Sequence, residues 1–499
     1  MSKHWKFTII ILLIFLGKLS GFAKDILVTF YHGVSVVTDA YFLSSSISSL
    51  LYMAIYSAIP VIVVPLYARL VADEARIRID RDLSAAVVFF FIVSLCVAIY
   101  VFYAASFLVS LFSGDINEQV EGLAVNYLSI MAMTFALSTL VSFFNAIQTV
   151  NKVVVPSYAM PVINNMVFCM GLFFFSSADE FDKILILGVL AWFVLVVINY
   201  FISRKSFSFE FRKALVFFVD SKFILLVLPA VIAFYVEQIN SFVGVYFASK
   251  LGVGSISVLA YSNKLNLIFL SVFLVFLTAS LFPRIAAVLA RNDRAELFGY
   301  LMGCIRLVVI CSVPAVIYMS FYSVEIVGLL FQRGNFLTDD TVKVASVFSV
   351  VLLALPFCLV RDIMNRVFFS FGNTFTPVLL SLFALFINFA LSYALYQQHG
   401  LVGLAFSVVV STIFNSFLVI FLVERKMKFY LLVPCLKFLA QCCVCGVAAY
   451  FLLSWLHVMF FDYWIVLAIP FGLVYFICLL IFRVGEAQSL TELLRRRLV

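Results

Sequence analysis

The chain has few charged residues. Of its 499 residues, 12% are Asp, Glu, Lys or Arg, 65% are hydrophobic, and the mean hydropathy is +1.18. Soluble domains carry roughly a quarter charged residues. The composition therefore excludes a soluble globular protein and indicates a chain that lies largely within a lipid bilayer.

The sequence also lacks recognisable catalytic or nucleotide-binding machinery. It contains no G-x-x-x-x-G-K-[ST] stretch, its four histidines are isolated, and its ten cysteines lie mostly inside apolar runs without acidic or His partners at ligand spacing. We therefore expect no enzymatic activity, no metal and no cofactor. The net charge of +8 does not indicate a nucleic-acid partner, because the Lys and Arg residues sit in short loops between apolar runs.

Apolar runs near 20 residues recur along the whole chain, and each can cross a hydrocarbon core of about 30 Å. Only helices and closed barrels satisfy their backbone polar groups in lipid, and these runs do not alternate as barrel strands do. We predict an all-α polytopic membrane protein with about fourteen transmembrane helices, the first of them a retained span rather than a cleaved signal peptide. The predicted spans are residues 7–31, 39–67, 83–112, 122–149, 154–176, 184–203, 223–249, 256–282, 298–322, 342–369, 375–396, 401–423, 430–455 and 462–482.

Loop charges test this count and predict the orientation. With these spans, and with Arg361, Arg366 and Lys343 of span 342–369 assigned to the loop nearest to each, the side of the N-terminal tail holds 24 Lys and Arg residues and the opposite side holds 4. Cytoplasmic loops carry the excess of positive charge. We expect both termini to be cytoplasmic.

The two halves of the chain resemble one another. Pro65 and Pro283 follow similar segments 218 residues apart, and Pro156 and Pro377 do so 221 residues apart. Parallel repeats of this kind are a transporter architecture with the substrate site at the repeat interface, although Pro and small residues also recur in membrane helices for packing alone. The predicted division is an N-terminal lobe at 1–213 (spans 1–6), a C-terminal lobe at 214–428 (spans 7–12), and two further spans with a cytoplasmic tail at 429–499.

Three lysines lie deep in predicted spans: Lys18 and Lys24 in span 1, and Lys264 in span 8. A charge at mid-bilayer costs at least ~2.5 kcal/mol and should face a partner or a wet cavity. We interpret them as a cationic cavity for an anionic head group; the alternative is Lys–Asp pairs that only fix helix packing. Glu237 in span 7 could pair with Lys264 or carry a coupling proton or cation.

Several motifs together resemble the MurJ (MviN) lipid II flippase family of the MOP transporter superfamily. That family reads close to S-R-x-x-G-F-x-R-D, then G, then T-D-A-F. The matching stretches are Gly17-Lys18-Leu19-Ser20-Gly21-Phe22-Ala23-Lys24-Asp25, Gly33, Thr38-Asp39-Ala40-Tyr41-Phe42, Gly254-Ser255-Ile256-Ser257, Tyr261-Ser262-Asn263-Lys264-Leu265, Pro283, Phe331-Gln332-Arg333-Gly334-Asn335-Phe336, and Asn373-Thr374 before Pro377.

The resemblance implies a flippase of the bacterial inner membrane that moves an undecaprenyl-pyrophosphate-linked disaccharide-pentapeptide outward for peptidoglycan synthesis by alternating access. It implies two six-helix lobes around a cationic cavity, and two last helices that help to form a groove for the lipid tail. The expected partners are the lipid-linked glycan, membrane lipids and cell-wall synthesis proteins. The substrate-binding residues that it implies are Lys18, Lys24, Asp25, Asp39, Ser257 and Lys264.

This chain departs from the family pattern at the proposed cavity. Lysine replaces the three usual arginines, Tyr52 stands where another arginine is common, and Leu267 stands where an acidic residue is common. Lysine keeps the charge but loses the bidentate fork of arginine. A flippase for another polyprenyl-linked glycan, such as an O-antigen or capsule unit, is therefore the first alternative. A MATE-type cation or drug antiporter is the second, although a lysine-lined cavity repels cations, and a non-transporting scaffold is the third.

Overall fold

The computed structural model describes residues 3–72, 76–114, 116–153, 155–204, 221–280, 288, 294–373, 375–459 and 464–482. Within these ranges every regular element is a helix and none is a strand. The all-α prediction is confirmed.

The helices that precede residue 250 include a π-helical turn, Ser49–Met53, between the second and third of them. They are α1 (Lys3–His32), α2 (Val36–Ser48), α3 (Ala54–Ala72), α4 (Arg76–Tyr103), α5 (Ala105–Phe112), α6 (Glu118–Ala132), α7 (Thr134–Val150), α8 (Val155–Phe174), α9 (Phe181–Ser203) and α10 (Ser221–Ala248).

The helices that follow residue 250 are α11 (Ser255–Ser280), α12 (Arg294–Phe321), α13 (Ser323–Phe331), α14 (Thr338–Val351), α15 (Leu355–Ser370), α16 (Phe375–Met427), α17 (Leu432–Met459) and α18 (Trp464–Ile481).

Eleven helical segments of the described chain are long and apolar enough to cross a membrane. One of them, α16, has 53 residues and would measure about 80 Å as a single straight helix, far more than a bilayer core. Non-helical torsions at Gly400 (φ 54°, ψ −136°) divide it into two arms, at the place where spans 375–396 and 401–423 were predicted to be separate. The protein is a multi-pass helical membrane protein, and the count of fourteen crossings stays a prediction.

Helix packing groups the chain into two units, Met1–Val258 with Leu330–Asp340, and Leu259–Leu329 with Thr341–Val499. In the first unit α1 packs on α8, α2 on α6, and α3 on α7. Helix α10, which the sequence repeat assigns to the second lobe, packs on α3 in the first unit. The repeat-based division at residues 213 and 428 stays a prediction.

Two glycines allow α1 to lie close to α8. A Cβ atom on Gly17 would lie 3.7 Å from the Pro161 side chain, and one on Gly21 would lie 3.4 Å from the amide nitrogen of Asn165. That nitrogen lies 3.2 Å from the Ser20 hydroxyl and 3.4 Å from the Gly17 carbonyl, and donates to both. Interhelical hydrogen bonds and small residues are the usual means of packing helices in lipid. The face of α1 that carries Gly17 and Gly21 therefore packs on α8, and this packing positions the segment that carries Lys18 and Lys24.

In the second unit, Glu424 joins the end of α16 to the start of α17. Its Oε1 atom accepts hydrogen bonds from the backbone N–H groups of Leu431 and Leu432, the latter at 2.6 Å. The first N–H groups of a helix lack partners within the helix, and a carboxylate there also opposes the positive end of the helix dipole. The left-handed backbone of Lys428 (φ 58°) turns the chain back so that this cap can form.

We expect Glu424→Ala to lower the free energy of unfolding by about 1–2 kcal/mol, because the start of α17 loses its cap. Thermal unfolding in detergent micelles measures the change. The matched control is Asp179→Ala, which removes an exposed carboxylate at the start of α9. Equal unfolding temperatures for the two variants would show that water replaces the Glu424 cap without cost.

Candidate functional site

A buried carboxylate near the start of α2 accepts several hydrogen bonds within the first unit. Asp39 is 1% exposed and lies in the first turn of α2. Its Oδ1 atom accepts hydrogen bonds from the backbone N–H of Ser257 at 2.8 Å and from the Ser257 hydroxyl at 2.5 Å. Its Oδ2 atom accepts from the backbone N–H of Gly254 at 2.5 Å. The Thr38 and Ser257 hydroxyls lie 2.8 Å apart beside it. We call this contact the Asp39 cap.

In the Asp39 cap, a side chain of α2 accepts hydrogen bonds from backbone N–H groups at the N-terminus of α11. Gly254 and Ser257 flank the start of α11, where backbone N–H groups have no partner within the helix. A negative charge is favoured at this end of a helix. Gly254 adopts φ +90°, and a Cβ atom there would lie 2.7 Å from the Val34 side chain, so the approach requires glycine.

Local structure fixes the direction in which Asp39 points. Ser35 and Thr38 form a capping box at the start of α2, with the Ser35 N–H donating to the Thr38 hydroxyl at 3.0 Å. The Thr38 hydroxyl in turn lies 3.2 Å from the Gly33 carbonyl. The turn between α1 and α2 is thus hydrogen-bonded internally before Asp39 reaches α11.

The two lysines of α1 have different surroundings. Lys18 is exposed. Lys24 is half-buried, its ammonium lies 5.2 Å from the centre of the Phe168 ring, and Tyr41 and Asp25 are its principal electrostatic neighbours. A cation over an aromatic face gains electrostatic energy from the ring. Lys24 is therefore positioned by its surroundings, whereas Lys18 is the more available of the two to a ligand.

Lys264 lies on α11 in the second unit and is half-buried. It follows Ser257 by seven residues, so the two side chains share one face of α11, about 10 Å apart along the axis. One helix therefore carries both the Asp39 cap and a predicted cavity cation. Glu237, the predicted coupling residue, is exposed on α10.

A π-helical turn between α2 and α3 was missed by sequence reasoning. Such turns recur at functional sites and free a backbone carbonyl from the regular helical pattern. The carbonyl of Leu51 accepts a hydrogen bond from the Tyr235 hydroxyl of α10 at 3.0 Å. No residue pattern marks Ser49–Met53 in the sequence, which reads there as a continuous helix.

Tyr52 lies within this turn and is 6% exposed. Its ring stacks on Phe135 with 4.5 Å between the ring centres, and its hydroxyl hydrogen-bonds to the Thr139 hydroxyl. The position where an arginine was expected from the resemblance therefore holds an aromatic side chain packed into the first unit. Leu267, at the other unusual position, is 59% exposed.

Comparison with known proteins settles the family. The family model described as "Lipid II flippase MurJ" matches residues 28–475. The chain belongs to the MurJ family. The probable lipid II flippase MurJ of Aquifex aeolicus is 25% identical over 382 residues, which cover 75% of this chain and 74% of that protein. The corresponding protein of Buchnera aphidicola subsp. Baizongia pistaciae is 26% identical over 436 residues, with 83% and 82% covered.

Solved structures show the same fold. A lipid II flippase MurJ in an inward closed conformation matches with a TM-score of 0.79 at 21% identity, covering 95% of this chain and 98% of that one. An inward-facing multidrug resistance MATE transporter of the MOP superfamily matches with a TM-score of 0.69 at 13% identity, covering 83% and 94%. The predicted MurJ family membership and MOP-type fold are confirmed. The MATE likeness is one of fold alone.

We expect Asp39→Asn to speed amide hydrogen exchange at Gly254 and Ser257 by roughly tenfold or more, since hydrogen bonds to a charged group contribute about 1.5–3 kcal/mol. The asparagine NH2 group would also face one of the two backbone donors. Hydrogen–deuterium exchange with mass spectrometry measures the effect. Asp340→Asn serves as the control, because Asp340 is half-buried and accepts a hydrogen bond from the nearby Leu337 N–H, away from α11. Unchanged exchange in Asp39→Asn would mean that the carboxylate does not hold α11.

Proposed function

We propose that this MurJ-family flippase carries lipid II from the inner to the outer leaflet of the bacterial cytoplasmic membrane. The observation that carries the proposal is the match of the family model over residues 28–475, which includes Lys264 of α11 and the whole Asp39 cap. The proposed orientation places both termini in the cytoplasm. It follows from the 24 to 4 distribution of Lys and Arg residues between alternate loops.

The proposed ligand of the lysines is the diphosphate of lipid II. Lys18 is exposed on α1, and Lys24 lies six residues further along the same helix. Ammonium groups bind phosphates as point charges, without the bidentate fork of arginine. Lys264 is included because of the family resemblance and its half-buried place on α11. Asp25 is assigned to position Lys24. Asp39, together with Ser257, is assigned to hold the start of α11.

The Asp39 cap is assigned to the outer side of the alternating-access cycle. In the proposed orientation the turn between α1 and α2 faces outward, opposite the N-terminal tail. Formation of the cap would close this side while lipid II enters from the cytoplasm. Release of the cap would expose the α11 amides to water, which can hydrogen-bond them in turn.

The energy source belongs to the same proposal. The sequence has no nucleotide-binding motif, so an ion gradient, the membrane potential or consumption of the product must drive net transport. Glu237, exposed on α10, is the proposed carrier of a coupling proton or cation. The proteins that consume the product are peptidoglycan polymerases on the outer face, and these are the proposed functional partners.

We expect Lys18→Ala and Lys24→Ala each to lower lipid II transport roughly 10- to 100-fold, the value of a lost charge-assisted hydrogen bond. The measurement is the lipid II accessible at the outer face of cells in which this chain is the sole flippase. Lys183→Ala is the control, because Lys183 is exposed and pairs with Glu180 at 2.6 Å at the start of α9. Normal transport by both α1 variants and by Lys264→Ala would overturn the lysine assignment.

Depletion of the chain separates the proposed substrate from the alternatives. Lipid II should accumulate on the cytoplasmic leaflet of depleted cells. Accumulation of another polyprenyl-linked glycan, with lipid II displayed normally, would favour the O-antigen or capsule alternative. Efflux of cationic dyes would favour the MATE-type antiporter.

A further inference from the structure

The stretch Phe331–Phe336, one of those that resemble the family motifs, has no role in the function proposed so far. It forms the turn between α13 and α14, and it packs in the first unit although the helices on both sides lie largely in the second. The turn is hydrogen-bonded internally, with the Phe336 N–H donating to the Arg333 carbonyl at 3.2 Å. Phe331 and Phe336 are each 1% exposed, and their ring centres lie 5.9 Å apart. The turn is therefore a preformed unit.

This turn binds the C-terminal end of α1. The backbone N–H of Asn335 donates to the Phe30 carbonyl at 2.9 Å, and its side-chain amide donates to the Tyr31 carbonyl at 2.5 Å. The last four carbonyls of a helix lack partners within the helix. Asn335 thus satisfies two of them from a position more than 300 residues away in the chain.

Two glycines make the approach possible. Gly33 and Gly334 have φ of +52° and +60°. A Cβ atom on Gly334 would lie 2.3 Å from the Phe30 carbonyl oxygen, and one on Gly33 would lie 2.2 Å from the Asn335 carbonyl oxygen. Both obstacles are backbone atoms, which a side chain cannot displace without moving the whole turn. The contact admits glycine alone at both places.

We propose that Asn335 is a second positioning residue of the outer closure, which binds the end of α1 while Asp39 binds the start of α11. We call the contact of Asn335 with Phe30 and Tyr31 the Asn335 clasp. The clasp binds the end of α1, and Gly33, the residue that follows this helix, is six residues before Asp39. The clasp and the Asp39 cap are therefore close together along the chain. The turn between α1 and α2 is hydrogen-bonded between them. The two contacts therefore form and release together. This inference rests on the proposed assignment of the Asp39 cap to the closed outer side.

Amide hydrogen exchange tests the coupling. Asn335→Ala removes the side-chain donor to Tyr31 and leaves the Asp39 cap chemically intact. Exchange at Gly254 and Ser257 should nevertheless rise roughly fivefold, the effect of one lost hydrogen bond on a shared opening. Asp39→Asn should likewise speed exchange at residue 335. The matched control is Gln332→Ala, whose side chain donates to Thr338 at 3.0 Å, at the other end of the same turn.

A stronger variant tests the role in transport. Gly334→Ala places a methyl group against the Phe30 carbonyl and should lower lipid II transport at least tenfold. Gly372→Ala is the control, because Gly372 has a similar φ of +69° with no atom within 4 Å of the added methyl. The control carries the same backbone strain without the clash, so it should keep transport.

The outcomes separate this inference from the proposed function. Exchange that rises only near residue 335 in Asn335→Ala, with Gly254 and Ser257 unchanged, overturns the coupling even if the α1 lysines prove essential for transport. Equal transport by the Gly334 and Gly372 variants overturns the role in closure. If the lysine variants lose transport and the Gly334 variant keeps it, the proposed function is supported and the Asn335 clasp has no part in it.

Discussion

The backbone polar groups at a helix end have no partner within the helix, and at two helix ends of the first unit distant residues supply the partners. The Asp39 carboxylate satisfies the first N–H groups of α11, and Asn335 satisfies the last carbonyls of α1. These are hydrogen bonds rather than buried apolar area. A hydrogen bond exchanged for one with water changes the free energy by only about 0.5–1.5 kcal/mol, or about 1.5–3 kcal/mol where one group is charged, so the proposed closure, built from a handful of them, would be reversible. An apolar closure of the same extent would hold the transporter in one state.

The proposed role of the α1 lysines requires a similar balance between binding and release. A flippase must hold an anionic head group and then free it on the other side. Ammonium groups bind phosphate without the bidentate geometry of guanidinium groups, and Lys24 is already engaged by Phe168, Tyr41 and Asp25. Tyr52 adds no charge, because its ring packs on Phe135 and its hydroxyl is bound to Thr139. Of these two lysines, Lys18 is the more exposed and Lys24 is the more engaged by neighbouring groups.

The sequence was sufficient for the fold class and the family, because both depend on patterns that are local in the chain. Apolar runs predicted the helices, and the stretch around Lys18 to Asp39 predicted the MurJ resemblance. The π-helical turn at Ser49–Met53 and the Asn335 clasp were not predictable. The first leaves no periodic signal within a uniformly apolar helix, and the second joins residues about 300 positions apart.

The fold does not decide the cargo. MATE transporters share the architecture at a TM-score of 0.69, yet the alternatives of cation export and anionic lipid transport make opposite demands on the charge of the binding residues. In this chain the deep charges singled out on α1 and α11 are mainly lysines, and the acidic groups near them, Asp25 and Asp39, are each engaged with protein groups. A carboxylate committed to capping a helix offers little to a cationic drug. An exposed ammonium group such as that of Lys18 attracts an anion. In the proposed function the exposed positive charge of Lys18, rather than the arrangement of the helices, favours a phosphate-bearing lipid.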